Sequence, residues 1–509
     1  MPTDYEVNGS SVRIKAANEL GTITADWSLD DTDAPKVSVT GTFAQDGVYS
    51  IGAWEGGELS YDSIEFALAP FRVQGKRIPE EAGLYSEQYL FTPMGCLTLL
   101  EQNKYANTKI TKGVVVDPTF TELKWVKRSD ASYGISVQGA DGNLRGSVFA
   151  PVLGSDASKL SAGTPYTFTY RVISRAADWY DNYTFIARDL YNVNSYRNNT
   201  YSTLNQAIFN TRKYSMNDEY SGWDPLDKAY WNIESKNTTA VTDPMEAIQT
   251  YLLTEDETYL EKRTLPTIAN FMTRGRLQFN SKGIEKSNGY VNANDIPHSI
   301  GNFISCLNMN VKGGIFELTR GRVPYILKTG IEQTLDGKNV NGYSSQTPFS
   351  DDLYMYKYTG EKKYLDDAMQ KADKYLSDVV YAPQTKPIDF TAFVYISYYP
   401  NIPALLDLYE ASGEQKYLDA AHYAAKWLVT TLWVPGVDGD KRNQTMTVNS
   451  GIKYTSNGVH DWYGDTQRIV GKDNTKDYTE TVENWVVSRV GLGLEQASTF
   501  YGNSSSTHM

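Results

Sequence analysis

The chain is poor in the residues that build metal centres and disulfide frameworks. It has two cysteines, Cys96 and Cys306, and four histidines among 509 residues. Two buried thiols fit cysteines so far apart better than one long-range disulfide, and no closely spaced cysteine–histidine cluster indicates zinc. The sequence also lacks a phosphate loop, a dinucleotide fingerprint and a Gly-x-Ser-x-Gly elbow. We therefore expect no cofactor and no catalytic metal.

Positive charge and long apolar runs are scarce as well. Lys and Arg total 48 against 61 Asp and Glu, which gives a net charge of −13. No basic patch indicates a nucleic-acid partner, and no run approaches the roughly 18 apolar residues of a transmembrane helix. No signal-peptide pattern is visible in the polar start Met1-Pro-Thr-Asp-Tyr-Glu6, and a mature form after signal removal would look the same.

What the chain has instead is a repeated phrase. Tyr358-Thr-Gly-Glu-Lys-Lys-Tyr-Leu-Asp-Asp-Ala368 recurs as Ala411-Ser-Gly-Glu-Gln-Lys-Tyr-Leu-Asp-Ala-Ala421, with a weaker copy at Leu253-Thr-Glu-Asp-Glu-Thr-Tyr-Leu-Glu-Lys262. The copies begin at residues 253, 358 and 411, so their spacing is two periods and then one period of about 53 residues. Such equal spacing predicts repeated helical hairpins.

Each copy has the chemistry of a turn between two helices. Apolar residues flank it at helical spacing, and Gly360 and Gly413 suit the left-handed position that ends a helix. Ser412 with Gln415, and Thr254 with Glu257, predict capping boxes that open the following helices.

The phrase resembles the outer-turn signature of six-hairpin glycosidases and related polysaccharide lyases. The resemblance rests on residues 245–262, 353–376 and 406–429. In those families helical hairpins close into an (α/α) toroid around a sugar-binding cleft. The resemblance thus implies a carbohydrate-active fold, with its cleft lined by loops at the ends of the hairpins opposite the repeated turn.

The period of the pattern divides the chain in two. Residues 1–175 hold short β-branched or aromatic segments separated by Gly, Asp, Asn and Pro, which is typical of an antiparallel β-sandwich. The segments 104–117 and 164–175 are expected to pair. Helical stretches dominate from 176, so we predict a multidomain α and β protein with a sandwich over 1–175 and a toroid catalytic domain over 176–509. The ring is open, is closed by the segment 178–210, or is incomplete at the C-terminus.

The loop 457–468 concentrates ionisable and aromatic residues. His460 and Tyr463 suit the base and acid of β-elimination, with Arg468 holding a uronate carboxylate. Asp461 or Asp465 alternatively suits one carboxylate of a hydrolase pair. Trp462 is a candidate platform for a sugar ring. A polar surface loop with an aromatic plug is the structural alternative.

Two helix starts supply further carboxylates. Asp351 and Asp352 lie near the positive end of a predicted helix dipole, which favours ionisation and suits a nucleophile or base. Glu483 lies beside Trp485, where a raised pKa would suit a general acid while the indole stacks on a sugar. Ordinary helix capping and first-turn charge explain both groups equally well.

Secondary candidates for substrate binding are His298 and the aromatic run at 220–231, with Tyr220 and Trp223 as one wall of a subsite or as a seam between domains. Asp336-Gly-Lys-Asn339 and Asp438-Gly-Asp440 are turn sequences first. Either could alternatively hold a structural calcium, although neither has the ligand count of an EF-hand.

Together these features predict a bacterial carbohydrate-active enzyme that is secreted or faces the periplasm or cell surface. Its partner is a polysaccharide or oligosaccharide, and its reaction is glycosidic bond cleavage. We favour hydrolysis over β-elimination on a uronic-acid polymer. A non-catalytic glycan-binding protein and a structural α-solenoid are the alternatives from other classes.

Overall fold

The computed structural model describes residues 3–70, 72–87, 92–103, 108–121, 131–191, 204–218, 221, 223–226, 228–230, 245–268, 347–387 and 400–430. The chain forms two compact units, which we call unit one (Met1–Thr200, Pro383–Tyr398 and Lys426–Val448) and unit two (Tyr201–Ala382, Tyr399–Ala425 and Asn449–Met509). The domain boundary at 175/176 remains a prediction. No helix within the described residues is long and apolar enough to cross a membrane.

Unit one is built on antiparallel strands. A nine-stranded sheet has the order β1-β2-β3-β4-β15-β11-β10-β7-β8, and a four-stranded sheet has the order β6-β13-β12-β9. The strands are β1 (Asp4–Asn8), β2 (Ser11–Asn18), β3 (Gly21–Ser28), β4 (Lys36–Phe43), β5 (Gly47–Val48), β6 (Ile51–Trp54), β7 (Ile64–Ala69), β8 (Val73–Gly75), β9 (Tyr85–Ser86), β10 (Met94–Asn103), β11 (Thr108–Val116), β12 (Gly134–Gln138), β13 (Leu144–Ala150), β14 (Lys159–Leu160) and β15 (Pro165–Arg175).

The two sheets share one hydrophobic core. Strand β13 alternates buried and half-buried residues along its whole length, because successive side chains point to opposite faces of a strand. Its inward residues join a cluster that includes Leu97, Val114 and Phe168 of the large sheet. The predicted pairing of the two long segments is confirmed, with β11 against β15 from Thr111↔Arg175 onward. Cys96 is a buried free thiol, as predicted, whereas Cys306 lies outside the described residues.

A short helix, α1 (Trp179–Phe185), belongs to unit one and continues as a π-helical turn over Ile186–Leu190. Asp178 caps it by accepting the backbone N–H groups of the second and third residues beyond it, both at 2.8 Å. Trp179 stacks on Phe66 of β7 with ring centroids 4.1 Å apart, and Trp427 meets the same phenyl ring edge-on at 5.1 Å. These aromatic contacts join α1 and residue 427 to the large sheet.

The helices described in unit two fall into hairpins. They are α2 (Leu204–Ser215), α3 (Met245–Thr254), α4 (Glu257–Tyr259), α5 (Ser350–Thr359), α6 (Lys362–Tyr375), α7 (Ile402–Ser412) and α8 (Gln415–Val429), with a small ribbon of β16 (Trp223–Asp224) and β17 (Ala229–Tyr230). The last residues of α8 are grouped with unit one. Helices α4 and α6 continue as π-helical turns over Leu260–Thr264 and Leu376–Val380.

The three copies of the repeated phrase form the same turn. Gly360, Gly413 and Glu255 end α5, α7 and α3 with φ of 71°, 73° and 50°. Each donates its backbone N–H to the carbonyl four residues earlier, at 2.7 to 2.8 Å. The predicted role of the two glycines is confirmed. The weak copy adopts the same left-handed geometry without a glycine.

The two predicted capping boxes are wrong. The Ser412 hydroxyl donates to the carbonyl of Leu408 at 2.7 Å, and that of Thr254 donates to the carbonyl of Thr250 at 2.6 Å. Both hydroxyls therefore bond back into the helix that ends there, a common alternative for Ser and Thr. Asp256 takes the capping role before α4.

A tyrosine after the turn links successive hairpins. The hydroxyl of Tyr417 lies 3.1 Å from a carboxylate oxygen of Asp373 on α6, and that of Tyr259 lies 3.3 Å from the hydroxyl of Ser215 on α2. The separation is 44 residues in both cases. Helix α2 thus contacts α4 in the same way that α6 contacts α8, and α2 occupies the repeat position of α6 in an earlier hairpin. Closure into a toroid depends on 269–346 and 431–509, outside the described residues, and remains a prediction.

Candidate active site

Most of the predicted site residues lie outside the described residues. These are His298, His460, Asp461, Trp462, Tyr463, Asp465, Arg468, Glu483, Trp485 and Tyr220, and the two candidate calcium turns at 336–339 and 438–440 lie there too. The structure places Asp351, Asp352 and Trp223. Within the described ranges, no group of three or more His, Cys, Asp or Glu side chains could hold a metal ion.

Asp351 and Asp352 stand in the first turn of α5, where the sequence predicts them. Helix α5 ends at the repeated turn, so the two acids lie at the opposite end of the hairpin, the end at which the resemblance expects a cleft. Both are buried, with 6% and 2% of their surface exposed. The residue before the helix, Phe349, makes no side-chain cap, and Ser350 lies inside the helix.

The electrostatics of Asp352 differ from the expectation. The helix dipole predicts an easily ionised carboxyl, yet burial raises the pKa of Asp352, and the hydrogen bond from Lys371 offsets this only in part. The ammonium of Lys371 lies 2.5 Å from a carboxylate oxygen of Asp352. The neighbouring charge of Asp351 raises the pKa of Asp352 further. Loss of hydration is thus the main cause of the raised pKa of Asp352, because a buried carboxylate is stabilised by few water molecules.

Tyr358 on the same helix faces the same environment. Burial, followed by the charge of Asp351, raises the pKa of the Tyr358 phenol. The phenol therefore stays protonated at neutral pH. Asp351 and Tyr358 are seven residues apart, or two helical turns, so they lie on one side of α5.

The repeat shows how unusual the buried acids are. One period of about 53 residues later, the positions of Asp352 and Lys371 are held by Leu405 and Ala424, both buried. Two periods before Asp352 stands Ala247, also buried. The α5–α6 hairpin thus has an ion pair where the α7–α8 hairpin has two buried apolar residues. This contrast appears only when the copies are aligned by their turns.

Further polar contacts, not anticipated from sequence, hold α5 and the preceding residue Thr347 beside α7. The ammonium of Lys357 binds a carboxylate oxygen of Asp407 at 2.7 Å. Asn401 caps α7 through its side-chain oxygen, while its amide nitrogen donates to the hydroxyl of Thr347 at 2.9 Å. An Asn followed by Ile and Pro is a sequence signal for a helix start, and it could have identified this cap.

Trp223 lies within a packed cluster of unit two. Only 7% of its surface is exposed. The guanidinium of Arg263 sits 4.3 Å from the ring centroid, and Tyr230 meets the ring edge-on at 5.0 Å. Arg263 also donates to the carbonyl of Ser215 at 2.8 Å. The contacts described for the indole are therefore internal to the cluster, and its role as a sugar platform remains a prediction.

Comparison of the sequence with known protein families and with curated proteins gave no match. Among solved structures, a polysaccharide lyase is similar at 13% identity and a TM-score of 0.38, over 84% of this chain and 73% of that chain. A TPR-domain containing protein from Parabacteroides distasonis is similar at 10% identity and a TM-score of 0.21, over 84% of this chain and 66% of that chain. With TM-scores this low, neither likeness carries an argument about fold or function.

Proposed function

We propose that this chain is a carbohydrate-active enzyme that cleaves glycosidic bonds in a polysaccharide, with hydrolysis favoured over β-elimination. The observation that carries the proposal is the buried pair Asp351 and Asp352 at the start of α5, where the related hairpin has Ala404 and Leu405. Burying carboxyl groups costs several kcal/mol unless they are well paired. Asp351 and Asp352 are acidic where the aligned positions of the next hairpin are apolar, and such departures from the local pattern concentrate at functional sites.

The raised pKa of Asp352 suits a general acid. In hydrolysis, a protonated carboxyl gives its proton to the glycosidic oxygen as the bond to the anomeric carbon breaks. A second carboxylate activates water or attacks the anomeric carbon. Adjacent helix residues point about 100° apart, so we assign this second role to an acid on another segment, Asp461 or Glu483, rather than to Asp351.

A panel of neutral polysaccharides and polyuronates tests the reaction class. New reducing ends without ultraviolet absorbance mark a hydrolase, which is the expected result. Absorbance from a conjugated double bond marks a lyase. In that case His460 and Tyr463 would act as base and acid, and Arg468 would hold the uronate carboxylate. Binding without products marks a glycan-binding protein. We propose that the substrate is a polysaccharide encountered outside the bacterial cytoplasm, in the periplasm, at the cell surface or in the surrounding medium.

Substitution tests the residues. Asp352→Asn keeps the shape of the side chain but removes its acidic proton, so cleavage should fall by at least about 100-fold, the usual contribution of a general acid. Asp366→Asn on the exposed side of α6, where its ion pair with Lys362 is solvated, is the matched control and should cleave normally. Full activity of a folded Asp352→Asn protein would remove Asp352 from the mechanism.

A further inference from the structure

The outer face of the four-stranded sheet in unit one presents an aromatic surface to solvent. Along β6 and β13, Ile51 and Val148 point into the core. Because side chains alternate along a strand, Gly52, Trp54 and Phe149 point outward. Gly52 pairs with Phe149, and Trp54 pairs with Ser147. The indole of Trp54 is 54% exposed, although a side chain of this kind is mostly buried in folded proteins.

The surface beside the indole is flat and open. A Cβ atom on Gly52 would meet nothing within 4 Å, so the space above this residue is free. The ring of Phe149 lies close over Gly134 of β12, since a Cβ atom there would come within 2.1 Å of it. Trp54 stands two residues along the strand from Gly52, about 7 Å away. The exposed indole of Trp54 therefore lies beside a flat area of the sheet surface formed by Gly52 and the Phe149 ring, which we call the Gly52–Phe149 floor.

Polar groups surround this floor. The guanidinium of Arg145 lies 5.0 Å from the Trp54 ring centroid and donates one hydrogen bond to Glu58 at 2.9 Å. The side chain of Asn143 bonds to Asp141 at 3.0 Å and to Glu58 at 3.4 Å. Guanidinium, amide and carboxylate groups thus stand next to an aromatic face. Sugar rings match this combination, because they have apolar C–H faces and hydroxyl rims.

Charge selects among saccharides. Glu58 and Asp141 outnumber Arg145 at this surface, and the whole chain carries a net charge of −13. A polyuronate would be repelled, whereas an uncharged chain would not. We propose that Trp54, the Gly52–Phe149 floor and Arg145 form a binding surface for a neutral polysaccharide chain. The surface lies in unit one, so the proposal does not rest on the reaction assigned to Asp352 in unit two.

Binding measurements on the full chain test the proposal, using affinity electrophoresis through gels that contain a neutral glucan, mannan or xylan, or a polyuronate. The wild type should be retarded by a neutral polymer. Trp54→Ala should weaken that binding about tenfold or more, which corresponds to the loss of one aromatic stacking partner. Trp54→Phe should retain part of it. Tyr5→Ala, which removes a ring that is 73% exposed on β1 of the same unit, should change nothing.

A second variant blocks the floor and leaves the indole intact. Gly52→Val places a side chain in the open space and favours the strand conformation, so it should fold and bind as weakly as Trp54→Ala. Asp366→Asn, which changes an exposed carboxylate on α6 in unit two, should bind like the wild type. The proposal is overturned by a wild type that binds no neutral polymer, by binding restricted to polyuronates, by variants that bind normally, or by a dimer that depends on Trp54.

Discussion

Asp352 is a buried acidic residue at a repeat position that is apolar in the other described hairpins. The same repeat position is leucine in the α7–α8 hairpin and alanine in the α3–α4 hairpin, and all three side chains are buried. Burying a leucine stabilises a protein by about 1.5–3 kcal/mol, whereas a buried carboxyl must be paired or protonated. Asp352 is both paired with Lys371 and raised in pKa.

Exchanging the acid for its repeat counterpart should therefore separate stability from activity. We expect Asp352→Leu to raise the free energy of unfolding by about 1–3 kcal/mol, as replacement of buried ion pairs by apolar residues often does, and to abolish cleavage. Lys371 is half exposed and stays hydrated. Urea unfolding and the cleavage assay measure the two effects. The control Leu405→Asp should destabilise the protein without any gain in activity. A less stable but active Asp352→Leu protein would contradict the functional assignment.

The pH dependence of cleavage tests the protonation state of Asp352. A general acid works while protonated, so activity should be lost as the pH rises through the raised pKa of Asp352. Lys371 lowers that pKa, so Lys371→Met should raise it and move the alkaline limb of the pH–rate profile to higher pH. Lys374→Met removes an exposed ammonium three residues further along α6 and should leave the limb in place. A limb that stays fixed or moves to lower pH in Lys371→Met would exclude Asp352 as the acid.

Among the secondary-structure elements, the repeated turn offers a matched set of backbone positions. Glu255 adopts a left-handed φ of 50° where the other copies have Gly360 and Gly413. That conformation costs a non-glycine residue about 1–2 kcal/mol, less the extra freedom that a glycine has when unfolded. We expect Glu255→Gly to stabilise the protein by about 0.5–1 kcal/mol in urea unfolding. Gly360→Ala should destabilise it by a similar amount, since its Cβ meets nothing within 4 Å and only backbone strain is added. Equal stability of both variants and the wild type would argue against a backbone cost at this turn.

Elements were predictable from sequence where periodicity and turn residues agreed. The paired strands expected over 104–117 and 164–175 and the helix hairpins around Gly360 and Gly413 are present as expected. Strand β7 has no alternating signal in the sequence, because its residues Ile-Glu-Phe-Ala-Leu-Ala are buried on both faces except Glu65. Strand β1 was missed for the opposite reason, since all five of its residues are exposed. Pairing with β2 defines it, and one segment alone does not reveal its partner.

The candidate sites were predictable only in part. The position of Asp352 in a first helical turn follows from local sequence, but its burial and its contact with Lys371 depend on how α6 packs beside α5. The surface at Trp54 depends on register, because only pairing with β13 brings Phe149 opposite Gly52. Propensity and spacing describe single elements. These two features arise between elements.

For the molecule as a whole, the excess of acidic residues makes the fold sensitive to low pH where carboxylates are buried in ion pairs. In unit one, Arg171 binds Asp117 at 2.6 Å and Asp30 at 2.7 Å. The hydrogen bond with Arg171 holds the pKa of Asp30 well below its usual range. Burial works to raise the pKa of Asp117, but hydrogen bonds from Thr119 and the nearby cations outweigh it and lower that pKa. This network joins β15 to the segments that precede β4 and follow β11.

Asp117→Asn should therefore destabilise unit one by about 3 kcal/mol at neutral pH, because it leaves a buried guanidinium without one of its charged partners. A carboxylate with a lowered folded-state pKa stabilises the protein above its unfolded pKa of about 4, and this contribution disappears as the pH falls through the folded value. The stability difference between wild type and Asp117→Asn should accordingly shrink below about pH 4. Urea unfolding of the full chain across pH, with hydrogen exchange followed in β4, β11 and β15, measures it. Asp26→Asn, in the solvent-exposed pair with Arg13, should change stability little at any pH. A constant penalty for Asp117→Asn down to acid pH would show that the network stabilises through shape rather than charge.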